Sequence, residues 1–119
     1  MIQEYVVTLA VDGSGDLDID IGSAINGFIH AIKYDFGDLD AGTDLVIKGK
    51  TSGVPILTYA NVPAANAWFY PRVIPRKNTD GAAFTDVGEP IRVFKEGINI
   101  VVDEGGASKT GTITFYVDE

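Results

Sequence analysis

Nucleophilic or acid–base chemistry would have to be assembled from few parts in this chain. It has one histidine, His30, no cysteine, and serines only at Ser14, Ser23, Ser52 and Ser108. A hydrolytic triad needs a nucleophile, a base and an orienting group within hydrogen-bond reach. His30 falls mid-strand in GFIHAIKYDF, on the alternating face of Phe28, Ile32 and Tyr34, where a partly buried strand histidine is the simpler interpretation. The serines all fall in expected turns, and none occupies a GxSxG elbow. Without cysteine there is no thiolate metal ligand and no disulfide. The 17 acidic residues leave a glycosidase-type carboxylate pair formally open, but most lie in turns or on the polar side of strands. The sequence therefore carries no catalytic constellation and calls for no cofactor.

One run of oxygen ligands invites comparison with a calcium loop. Asp12, Ser14, Asp16 and Asp18 in DGSGDLD alternate like positions 1, 3, 5 and 7 of an EF-hand. The glycine needed at the sixth position is Leu17, however, and the twelfth is Ser23 rather than glutamate. Alternating aspartates on an amphipathic strand give the same pattern, so no metal site is assigned. A second acidic group, Asp35, Asp38, Asp40 and Asp44, fits a solvated turn.

The basic residues are less scattered. Arg72, Arg76 and Lys77 follow directly on the aromatic run Trp68, Phe69 and Tyr70, and Phe84 lies in the long segment beyond. Aromatic residues and arginine are the types that dominate protein interfaces. These seven residues are the candidate interface, suited to an acidic partner surface. A core tryptophan followed by ordinary surface charges would look the same. Nine basic against 17 acidic residues give a net charge of −8, which disfavours nucleic acid as a partner. No apolar run approaches the roughly 20 residues of a membrane helix. The start MIQEYVVTLAV lacks the basic region of a signal peptide, so neither membrane nor export is expected.

The elements that must position these residues read as strands. LDIDI at 17–21 alternates strictly, and IQEYVVTLAV, DLVIKGK, VPILTYA, AWFYPRVI, IRVFK, INIVVD and GTITFYV are rich in β-branched and aromatic residues. DGSGD at 12–16 and EGGASKTG at 104–111 read as hairpin turns. Residues 61–67 (NVPAANA) are the best place for a helix, of one to two turns at most. The polar segment 75–90 lacks periodicity and reads as a long loop of the kind that carries a binding role. These signals predict one all-β domain over 1–119, an antiparallel β-sandwich or jelly roll of about eight strands.

The stretch VTLAVDGSGDLDIDIGSAINGFIHAIKYDFGDLDAGTDLVIKG, with AWFYPRV and the closing VVDEGGASKTGTITFYV, resembles a group of small tailed-bacteriophage virion structural proteins. The similarity covers most of the chain and rests on turn glycines and strand pattern, so it carries over no binding residue. It implies a virion part assembled in the host cytoplasm. A capsid decoration or cement protein, often a homotrimer that clamps the major capsid protein on the capsid surface, comes first. A neck, tail or baseplate component is the alternative. Outside the resemblance, a carbohydrate-binding β-sandwich presenting Trp68, Phe69 or Tyr70 is the competing binding module.

Overall fold

A computed structural model describes residues 1–84 and 88–119. The chain is all-β, as the pattern predicts, and no helix occurs among the described residues. The strands are β1 (Ile2–Ala10), β2 (Leu17–Asp35), β3 (Thr43–Gly49), β4 (Pro55–Val62), β5 (Ala67–Phe69), β6 (Arg72–Val73), β7 (Glu89–Asp103) and β8 (Thr110–Asp118). Every ladder is antiparallel, in the order β1-β8-β2-β7-β3-β4, with β5 added to β2 and β6 to β7.

The two longest strands fuse pieces that the sequence separates. Segments 17–21 and 27–36 become β2, and 91–95 and 98–103 become β7. A straight strand of 19 residues would span about 60 Å at ~3.3 Å per residue. The molecule measures only 49 Å along its longest axis, so β2 must bend. It bends with β7 where their register shifts between Ile21 and Ile25. Gly22 takes a positive φ of 64° there. Gly97 lies so close that a Cβ on it would stand 2.9 Å from the Gly22 carbonyl oxygen. Before the bend β2 pairs with the end of β7; after it, β2 stays on β7 as far as the Ile29–Ile91 pair and from Phe28 onward also runs along β8.

The result is one continuous open sheet that curls over its own core. Leu9 of β1, Tyr34 of β2, Leu45 and Ile47 of β3, Ile98 and Ile100 of β7, and Ile113 and Phe115 of β8 all join a single buried cluster. Each such side chain contributes roughly 1.5–3 kcal/mol of burial.

Both expected hairpins are corrected. Neither β1 with β2 nor β7 with β8 forms a ladder. The segments 12–16 and 104–109 instead carry the chain from one half of the curled sheet to the other. They brace each other: Gly105 N–H donates to Gly15 O at 2.9 Å and Ser108 N–H to Asp12 O at 2.9 Å. Glycine-rich turn composition is shared by hairpins and by these crossings, so the pattern alone does not separate them. NVPAANA forms the end of β4 and a bend, with no helical turn.

Glu96 locks the bend. It is buried, yet its carboxylate accepts N–H groups from Thr51 at 2.7 Å and Ser52 at 2.8 Å, tying the β3–β4 turn to β7. The Ser52 N–H is the largest influence holding its carboxyl below the usual range, with the Ser52 hydroxyl and the Thr51 and Phe94 N–H groups adding to it against burial. Glu96→Ala is expected to cost about 2 kcal/mol by stranding these donors. A depressed carboxyl stabilises the fold above its unfolded value, and that contribution is lost as pH falls through the folded value. Urea denaturation of both proteins should therefore show a gap at neutral pH that narrows in acid; a gap independent of pH would count against this role.

Candidate functional site

The aromatic run does not act as one surface. β5 pairs Trp68 with Lys33 and Phe69 with Ile32, so alternate side chains part company. Phe69 turns toward the core and packs near Tyr34 and edge-on to Tyr59, with ring centres 6.4 and 5.5 Å away. Trp68 stays 50% exposed and stacks on Tyr116 at 5.6 Å, with the Lys33 ammonium 5.8 Å from its ring centre. Tyr70 is 61% exposed.

The basic residues divide likewise. Arg72 leaves the aromatics for β6, which lies along Glu89 and Pro90 of β7, and its guanidinium donates to the Pro71 carbonyl at 2.8 Å. Arg76 and Lys77 belong to a small turn closed by a bridge from Arg76 to Ala83 and by Lys77 N–H donating to Ala82 O. Phe84 completes it: its N–H donates to Pro75 O, and Lys77 Nζ lies 6.0 Å from its ring centre. The expected long loop is thus hydrogen-bonded over 75–84; its residues 85–87 lie outside the described ones.

Of the seven candidates, only Arg72 reaches a groove of about 680 Å3 on the sheet's outer face. Its other walls come from residues the sequence analysis passed over, chiefly Phe28, Val73, Arg92 and Phe94, with Leu57 of β4 across from them. The register explains the gathering, since Phe28 pairs with Arg92 and Asn26 with Phe94. Arg92 lies between the two rings, 5.2 Å from the centre of Phe28 and 5.8 Å from that of Phe94. Its Nη2 donates to Asn26 Oδ1 at 2.9 Å. An arginine held between aromatic faces is stiffened before any partner arrives. Phe94 and Val73 are 55% and 48% exposed, and Ile74 beside them 57%. The signal was present in the sequence: Phe94 and Arg92 occupy the polar phase of IRVFK, opposite buried Ile91 and Val93.

His30 is corrected as well. It is exposed, because it is the extra residue of a bulge between the Ile29–Val117 and Ala31–Tyr116 pairs. The bulge switches the phase of β2, so Phe28 and His30 face out while Ile32 and Tyr34 face in.

The alternating aspartates are occupied by the fold. Asp12 accepts N–H groups from Ser14 at 2.8 Å and Asp16 at 3.0 Å, which close the 12–16 turn. Asp18 and Asp20 both accept from Asn99 Nδ2. Asp35, Asp38 and Asp44 accept the N–H groups of Gly37, Thr110 and Asn61, and Asp40 pairs with Lys109. Among the described residues no group of three or more His, Asp or Glu side chains is arranged to hold a metal ion. Neither a family model nor a curated protein matches the chain.

Asp16 stands apart in sharing a hydrogen bond with Asp103, which, with burial and the charges of Asp103 and Asp12, raises its pKa. A raised carboxyl stabilises the fold in acid and loses that contribution as pH rises through the folded value. Asp16→Asn should therefore raise the thermal midpoint at neutral pH. The gain should vanish below about pH 4, where the aspartate is protonated in either state; a gain that persists in acid would contradict the shared-proton account.

Proposed function

We propose that this chain is a virion structural protein of a tailed bacteriophage that decorates the capsid. In this role it docks through the Phe28–Arg92–Phe94 groove onto an acidic, apolar segment of the major capsid protein. The observation that carries the docking face is the groove itself: exposed aromatic rings and an arginine fixed on paired strands, where a flexible loop would have to be ordered first. Exposed apolar patches of this kind mark surfaces that are covered in use. Arg72 and Arg92 supply positive charge in a chain of net charge −8, and among the described residues the ion pairs involve Met1, Lys50 and Lys109 rather than an arginine. The virion role comes from the likeness of the turn and strand pattern to small phage structural proteins.

Co-sedimentation with expanded phage capsids tests the reading. Saturable binding at a stoichiometry set by the capsid lattice is expected. Phe94→Ser and Arg92→Ala should each weaken it by about tenfold or more, as truncation of a central anchor does, with the thermal midpoint unchanged. Trp68→Ala, outside the groove, should leave it intact. Binding to tails or portals instead of capsids would move the protein to the neck, tail or baseplate. Binding to glycan that is lost in Trp68→Ala would replace the virion reading altogether.

A further inference from the structure

The two outer edges of the sheet are unequally protected. On the β4 edge, Pro55 begins the strand, Asn61 sits at a positive φ of 58°, and the ladder to β3 shifts register twice. Proline, bulges and kinks are the usual means of blunting an edge. On the β1 edge none of them occurs. β1 pairs with β8 through unbroken register from Ile2–Asp118 to Ala10–Thr110, and contains no proline and no lysine.

The direction of its free groups follows from the hydrogen bonds at its ends. Met1 exchanges N–H and C=O bonds with Glu119, and Val11 N–H donates to Lys109 O. Odd-numbered residues of β1 therefore bond to β8, because antiparallel pairs alternate. Ile2, Glu4, Val6, Thr8 and Ala10 aim their N–H and C=O groups outward. Their side chains line the exposed face, with Val6 64% exposed.

We propose that β1 pairs with β1 of a second copy about a twofold axis at Val6. Centred there, every outward residue of one strand meets an outward residue of the other: Ile2 faces Ala10, Glu4 faces Thr8, and Val6 faces Val6. This is the register of greatest overlap for the strand Ile2–Ala10. It places the single charge of the edge opposite a hydroxyl, whereas a register centred on Glu4 would oppose two carboxylates. A head-to-tail pairing of β1 with β4 would stop at the broken β4 edge, so the self-pairing, which closes after two copies, is favoured. The occupant is a second copy and the assembly a dimer, in place of the trimer that the phage resemblance implies. The inference is independent of any capsid role.

Sedimentation equilibrium of the full chain, without capsids, reads it directly. From low to high micromolar concentration the mass should rise from 12.7 kDa toward twice that value. T8E should weaken the dimer about tenfold, because the new carboxylate meets Glu4 twice per pair. The double variant E4K/T8E should restore association, which a folding defect would not. V6K, which opposes two ammonium groups on the axis, should dissociate the pair while leaving the circular dichroism spectrum unchanged. A monomer at every concentration, a trimer, or a dimer indifferent to all three variants would overturn the proposal.

Discussion

The paired bend of β2 and β7 is the constraint on which the rest of the molecule depends. A strand of 19 residues cannot lie straight in a body 49 Å long, so β2 turns, and β7 turns with it where Gly22 and Gly97 approach. Because β2 pairs with β7 on both sides of the bend and with β8 only beyond it, the two halves of the sheet share their hydrogen bonds and cannot separate without breaking main-chain ladders. The turns at 12–16 and 104–109 then have to cross between halves, and their mutual hydrogen bonds follow from that route. Just past the bend the same ladder places Phe28, Arg92 and Phe94 side by side on the outer face.

Strand composition and alternation made the all-β architecture legible from the residues. What alternation cannot carry is which strand a turn leads to. DGSGD has the composition of a hairpin, yet β1 lies against β8, where Val7 pairs with Ile113 and both join the buried core. Alternation also fails across a bulge: one added residue at His30 reverses every face before it. Leu17, Ile19 and Ile21 alternate as read, and their partners on β7 confirm the phase.

The proposed docking face was legible only in part. A run of three aromatics on one strand cannot face one way, and Phe69 is taken by the core beside Tyr34 and Tyr59. Arg72 was found from its clustering with other basic residues, but Phe28, Arg92 and Phe94 are distant from it in sequence and meet it only through the β2–β7 and β6–β7 ladders. The acidic residues show the reverse case. Charges that look like solvated turns are largely spent on backbone N–H groups, as with Asp38 and Thr110 or Asp44 and Asn61. The chain's net charge is −8, and the groove sets two arginines, Arg72 and Arg92, beside one carboxylate, Glu89.

In the proposed capsid role, the ladder past the bend presents Phe28, Arg92 and Phe94 as the surface that binding covers. Amide hydrogen exchange, read peptide by peptide on the free protein and on the protein bound to capsids, tests it most directly. Slowed exchange on binding is expected over 26–30, 54–58, 72–74 and 89–94, the four segments that wall the groove. Slowing confined to β5 and its neighbours around Trp68, with the groove segments unchanged, would contradict it.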